Sequence, residues 1–179
     1  LITGAATYTD DIKLPGLTYA AFLRSPYAHA KITRIDTSVA KAAPGVVAVF
    51  IGADVNPHML PVLCAWNTPN CDLKVPAHPN LAEDRVRYVG DAVAMVVAET
   101  RAQARDAIDL IDVDYDALGA ETDPEKALQP GAPQFHDDVP GNKAFLWEIV
   151  GGDPDSRCGR GDGRAWFQRT PVGTLRRPA

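Results

Sequence analysis

Between positions 93 and 115 the chain changes its hydrophobic period twice. "VAMVVA" (93–98) is an unbroken apolar run rich in strand formers, and "TRAQARDAIDLI" then places Ala104, Ala107, Ile108 and Ile111 at i, i+3, i+4 and i+7. The first pattern predicts a buried strand and the second a helix with one apolar face, opened by Thr100 as its N-cap. "IDVDY" (111–115) alternates again and predicts a strand. With about two residues at its entrance and almost none at its exit, this unit predicts a crossover helix packed on a sheet.

The same reading carries upstream. The turn signal "LPG" precedes "LTYAAFLRS" (17–25), a run of strand formers. "AKITRID" (30–36) has no single apolar face, so it predicts a strand that twists or bulges. "DTSVAKAAPG" offers Asp36 or Thr37 as a cap, a short alanine-rich helix and a Pro-Gly stop, and "VVAVFI" (46–51) predicts another buried strand. From 52 to 84 the period dissolves among Pro57, Pro61, Pro69, Pro76 and Pro79; a loop of that length is functional, a partner contact or partly disordered. "TDPEKALQPGAP" (122–133) predicts a short capped helix and "AFLWEIVGGD" (144–153) one more strand. Helices and strands interleave without strict alternation, which favours an α+β fold over a doubly wound sheet.

Composition narrows the classes. The 179 residues, 46% apolar, suffice for a sizeable core, and no run of about 20 apolar residues could span a bilayer as a helix. The net charge of −5 hides an asymmetry: residues 1–155 hold 22 acidic against 12 basic side chains, and 156–179 hold 1 against 6. An acidic body argues against a nucleic-acid binder, since phosphates call for a stripe of Lys and Arg; the basic tail alone would have to supply one. Three cysteines, Cys64, Cys71 and Cys158, match no CxxC spacing and read as reduced thiols of a cytoplasmic protein. No targeting peptide is legible, and a chain that starts at Leu1 reads as a fragment.

Several stretches invite chemistry. His29, in "RSPYAHAKI", could be a base, a metal ligand or a residue that holds a bend; Pro26 ends the donor ladder before it, which favours the bend. His58, Cys64, Cys71 and His78 share the irregular stretch, but their spacing fits no zinc template. Asp112, Asp114 and Asp116 lie on one face of a strand, where they could hold a divalent cation or simply face water; the solvated face is the simpler account. "YVGD" (88–91) has one glycine and precedes a strand, so it marks a tight turn rather than a phosphate cradle. Arg24, Tyr27, Arg87 and Tyr88 are candidate subunit contacts, because Arg and aromatic residues are enriched in interface cores. "RGDG" (160–163) has no meaning as an adhesion motif in a cytoplasmic protein.

"TG" (3–4), "YTDDI" (8–12), "FLRSPYAHA" (22–30), "PGVVAV" (44–49), "YVGDAVA" (88–94) and "AETRAQARDAIDLIDVDYDAL", followed by "GAPQFHDDVPGN", occur in an order that resembles a known family. The resemblance is to the N-terminal domain of the molybdenum-binding large subunit of the xanthine dehydrogenase, aldehyde oxidase and carbon monoxide dehydrogenase family, and it implies a truncated form. The resemblance implies an α/β hammerhead over residues 1–153, an α+β arrangement with a mixed sheet and two main helices. It also implies a holoenzyme with molybdopterin, in bacteria usually the cytosine dinucleotide form, and iron-sulfur and FAD components on partner subunits or domains. Such enzymes hydroxylate a carbon centre with oxygen from water and pass electrons from molybdenum through iron-sulfur clusters to FAD. The cofactor loops and the catalytic glutamate of the family lie downstream, so no catalytic, cofactor-binding or metal-binding residue is assigned in this chain, and the isolated chain is expected to be inactive.

The leading expectation is therefore a structural domain that packs against the downstream molybdenum-binding domains and the iron-sulfur and FAD subunits, without nucleic acid or membrane. The alternative is a free-standing binding or carrier-like module; a swivelling carrier presents a lysine in a tight hairpin turn, and "AMVVA" has none. Residues 154–179, with six Arg among scattered Gly, Trp and Phe, depart from the family's texture. They read as an out-of-frame or truncated end, or else as a natural disordered basic tail.

Overall fold

The computed structural model describes residues 3–4, 6–62 and 71–146, and the backbone of 168–169 and 175–176. The chain forms two compact units. The first comprises Leu1–Val62 and His78–Gly119, the second Leu63–Ala77 and Ala120–Ala179.

The first unit carries β1 (Tyr19–Arg24), β2 (Ala30–Asp36), α1 (Ser38–Lys41), β3 (Val46–Ile51), α2 (Gly52–Val55), β4 (Arg85–Val86), β5 (Ala92–Ala98), α3 (Arg101–Ile108) and β6 (Asp112–Ala117). They make two three-stranded sheets, ordered β1-β5-β3 and β4-β2-β6. The α+β class is as expected. In place of one mixed sheet, both are antiparallel throughout.

The apolar run at 92–98 becomes the central strand of the first sheet. Its inward Ala94, Val96 and Ala98 are fully buried, and Ala94 and Val96 pack with Val49, Ala40, Ala107 and Ile111. α3 supplies Ala107 to this core, and Thr100 caps it by accepting from the Gln103 N–H at 3.2 Å. A second cluster joins Val93 to Ala30, Ala82 and Val86, with Ile32, Ile35, Val113 and Tyr115 packed around them.

Two expectations fail here. β3 is not a buried strand but an edge: only Val49 is buried and Val47 is 60% exposed, because β5 takes the central place. A short apolar run alone does not distinguish the two positions. Nor does α3 cross over within one sheet, since β5 and β6 belong to different sheets. β6 alternates aspartate with Val113 and Tyr115, a pattern that needs one wet face, and pairing with β2 provides it.

The predicted irregularity in β2 is a register shift between Ile32 and Arg34 against β6. Lys31 and Arg34 are three residues apart and would face opposite ways in a regular strand; the shift brings both onto the face of Asp116 and Asp114. α1 begins after Thr37, with the Asp36 carboxylate accepting from the Ser38 N–H at 2.9 Å, and ends before Gly45, whose φ of +77° only glycine adopts readily.

In the second unit α4 (Pro124–Ala127) is capped by Asp123, whose Oδ1 accepts from the Glu125 N–H at 2.9 Å. Asn142 ties this region together, donating to the carbonyls of Ala127 (2.9 Å) and Pro133 (2.8 Å) and accepting from the Phe135 N–H (3.1 Å). Residues 144–146 of the expected strand at 144–153 are irregular, and the remainder lies outside the described residues. Two short strands, β7 (Gln168–Arg169) and β8 (Leu175–Arg176), pair antiparallel.

Candidate interaction surface at the Ser-Pro-Tyr-Ala-His bend

β1 stops where Pro26 removes the next donor. The register against β5 shifts between Leu23 and Arg24, and the chain closes instead on the turn 88–91. The Ser25 N–H donates to the Asp91 carbonyl at 2.8 Å, and the Gly90 N–H returns to the Ser25 carbonyl at 2.8 Å. The turn itself is closed by the Asp91 N–H on the Tyr88 carbonyl at 3.2 Å, with Gly90 at φ +92°; this is the tight turn expected of "YVGD". Arg24 clamps the pair by donating from Nη1 to the Gly90 carbonyl at 2.8 Å.

Inside the bend the buried Ser25 hydroxyl accepts from the Tyr27 N–H at 3.0 Å and lies 3.1 Å from the Tyr27 carbonyl. Burial pushes the Tyr115 phenol up, and the neighbouring Ser25 hydroxyl partly offsets the rise. The rings of Tyr27 and Tyr115 lie 5.1 Å apart, tilted by 42°. Asp91 turns its carboxylate to the Arg87 N–H at 3.1 Å. Burial and the neighbouring Asp91 also raise the Tyr88 phenol, whose ring stacks on His78 at 6.0 Å.

His29 is 5% exposed. Its Nδ1 lies 2.7 Å from the Gly119 carbonyl, which can only accept, so Nδ1 carries the proton. Its own carbonyl accepts from the Leu118 N–H at 2.9 Å. The side chain therefore fastens the bend to the end of β6, 90 positions further on.

The four candidate contact residues converge here. Tyr88 lies in the turn, Arg87 directly precedes it and Arg24 donates to it from the end of β1, while Tyr27 packs on Tyr115. Tyr27, Tyr88 and Val89 are 41%, 45% and 65% exposed on a backbone held by reciprocal hydrogen bonds, which makes a rigid surface with aromatic and apolar side chains at its crest. Sequence reading missed Tyr115, Val89 and Gly119. The alternation of "DVDYD" could have placed Tyr115 on the inner face; Gly119 carries no signal, because only its carbonyl is used.

The other candidates do not converge. Arg34 takes the place a cation would hold: its guanidinium bonds Asp112, Asp114 (2.8 Å) and Asp36 (3.3 Å), and the bonds to Asp114 and Asp112 raise its pKa further. Cys64 and Cys158 lie outside the described residues, and the Cys71 thiol is 3.5 Å from the Leu146 carbonyl. Among the described residues no group of three or more His, Cys, Asp or Glu side chains could hold a metal ion, and the positive-φ glycines are isolated at turns rather than gathered into a cradle. These residues do not fit a molybdenum centre or its pterin. Among the described residues no helix is long and apolar enough to cross a membrane.

What the two antiparallel sheets and their clamped bend define is a hammerhead-type α+β domain. Residues 3–119 match the model of the aldehyde oxidase and xanthine dehydrogenase a/b hammerhead domain, and the chain belongs to that family. It is 40% identical over 161 residues to the carbon monoxide dehydrogenase large chain of Afipia carboxidovorans, covering 82% of this chain and 19% of the relative. It is 40% identical over 155 residues to the nicotine 6-hydroxylase large subunit of Paenarthrobacter nicotinovorans, covering 87% and 19%. Among solved structures, quinoline 2-oxidoreductase from Pseudomonas putida 86 aligns with a TM-score of 0.70 at 40% identity, covering 76% of this chain and 17% of that one. The chain thus spans about one fifth of the length of these relatives.

Proposed function

We propose that this chain is the N-terminal structural domain of a molybdopterin-dependent hydroxylase large subunit. It packs against the downstream molybdenum domains and offers surface to the iron-sulfur and FAD subunits of a cytoplasmic complex. The observation that carries the reading is the use of the buried polar groups. Ser25, His29 and Asp91 are each committed to hydrogen bonds within the bend, the 88–91 turn beside it or the end of β6. Buried polar groups engaged in this way specify a conformation.

Relatives at the same 40% identity are named for carbon monoxide, nicotine and quinoline, which supports placing substrate choice outside this domain. The family resemblance supports molybdopterin, with the cytosine dinucleotide form as the finer proposal, and electron transfer through iron-sulfur centres to FAD. Residues 1–153 are proposed as the domain and 154–179 as a basic tail, disordered or out of frame; genomic sequencing across codons 150–160 separates the two, and a single natural frame without family motifs in another would overturn the out-of-frame reading.

The test is a chimera in which residues 3–146 replace the corresponding N-terminal part of the Afipia carboxidovorans large chain. The expected result is co-purification with the partner subunits and carbon monoxide oxidation. The 179-residue chain alone should hold no molybdenum and show no dye-linked oxidation of aldehydes or purines. Stoichiometric molybdenum on the isolated chain would refute the reading.

A further inference from the structure

The two sheets of the first unit end in very different outer faces. On β2 and β6 the outward positions are Lys31, Arg34 and Asp36 against Asp116, Asp114 and Asp112, a charged face suited to water. On the β1-β5-β3 sheet the register sets Phe22, Met95 and Phe50 in one row across all three strands, and Ala20, Val97 and Ala48 in the next. All six are apolar, and all six point away from the core, because the alternate row of Ala21, Val96 and Val49 faces inward with Val96 and Val49 buried. None of the outward six is buried.

The central position decides the matter. Met95 lies on the middle strand with a phenylalanine on either side, where any covering layer would bury it first, yet it is only half-buried, and Phe22 is 44% exposed. The charge at the margin, Arg24, is already engaged: its guanidinium donates to the Gly90 carbonyl and lies 5.9 Å from the centre of the Phe22 ring. A contiguous apolar face of this kind, without its own polar partners, is the signature of a permanent interface resembling a divided core rather than a transient contact.

We infer that the outer face of the β1-β5-β3 sheet, centred on Phe22, Met95 and Phe50, is the seat for an apolar surface of the downstream part of the same large subunit. This rests on the domain reading above and adds the surface and its occupant. The occupant follows from length: about four fifths of each relative lies outside the region this chain matches, and a permanent, uncharged face needs a partner that is always present.

Methionine oxidation reads this directly, because the chain has two methionines, Met59 and Met95, and the thioether reports its own exposure to peroxide. Sulfoxide formation at Met95 is followed by peptide mass spectrometry in the 179-residue chain and in the Afipia carboxidovorans chimera. The expected result is at least tenfold slower oxidation of Met95 in the chimera. In parallel, Phe22→Lys and Phe50→Lys should abolish chimera assembly on size exclusion, while the variant 179-residue chains keep the circular dichroism spectrum of the parent. A chimera that assembles and oxidises carbon monoxide, but in which Met95 reacts as fast as in the free chain, overturns this inference and leaves the domain reading standing. A chimera that fails to assemble even with the parent residues overturns the domain reading, and this inference with it. Protection of Met95 in the free chain that rises with concentration alongside a dimer mass overturns it in favour of a second copy.

Discussion

His29 carries the residue-scale argument, because one side chain there joins two segments far apart in sequence. His29→Ala removes the donor to the Gly119 carbonyl and leaves that carbonyl without this partner beside a small void, and such a loss costs about 1–3 kcal/mol. The midpoint of urea denaturation should fall accordingly; an unchanged midpoint with lost turnover in a correctly assembled holoenzyme would point to catalysis instead. Asp36 gives a pH signature. The Ser38 backbone N–H, then the Ser38 hydroxyl and to a smaller degree Arg34, hold its carboxyl below the ordinary carboxylate range. Because the folded value lies below the unfolded one, the contribution is complete above the usual value of about 4 and is lost as the pH falls through the lowered folded value. Asp36→Asn should therefore flatten the acid limb of the thermal midpoint plotted against pH, in a scan from pH 6 down to 2.

At the scale of elements, the sheets are held in register by local devices. Arg34 lies on three aspartates because β2 shifts register after Ile32. Arg34→Ala should lower the thermal midpoint by leaving Asp36, Asp112 and Asp114 to repel one another, and 1 M salt should shrink the difference, as it does for exposed charges. The cap of α3 is separable: Thr100→Ala should cost about 1 kcal/mol and leave the salt dependence unchanged. Much of this level was legible. The strands at 19–24, 30–36 and 92–98, the capped helix and the bulge follow from period and cap residues. The edge position of β3 was not, since "VVAVFI" has the same character whether it stands at the centre or the margin. The allocation of β5 and β6 to different sheets was not legible either, because it depends on which strand offers a charge partner to the aspartates.

For the whole molecule, the proposed assembly needs both the exposed aromatic crest of the bend and the apolar outer face of the first sheet covered. The isolated chain should accordingly bind a hydrophobic dye such as ANS in its folded state, and Phe22→Lys should reduce that signal without changing the denaturation midpoint by more than a few tenths of a kcal/mol. A parent chain that binds no dye would mean that the outer face is already covered. Of the candidate site, sequence named Arg24, Tyr27, His29, Arg87 and Tyr88 individually. Only folding brings Ser25 against the 88–91 turn and sets Tyr115 beneath them.

The order of the motifs from "TG" to "DVDYDAL" by itself carried the resemblance to the family, and period, caps and turn residues, being local and surviving in one dimension, carried the α+β class. Tertiary structure decided which partners His29 and the aspartates have. A histidine between alanines and three alternating aspartates are equally compatible with ligands, bases or scaffolding until their partners are known. For His29 and for Asp112 and Asp114 those partners, the Gly119 carbonyl and the Arg34 guanidinium, arrive from 90 and about 80 positions away through strand pairing. It also decided which apolar residues remain outside. Alternation separates two faces of a strand, but only the third dimension shows which of them a neighbouring layer covers.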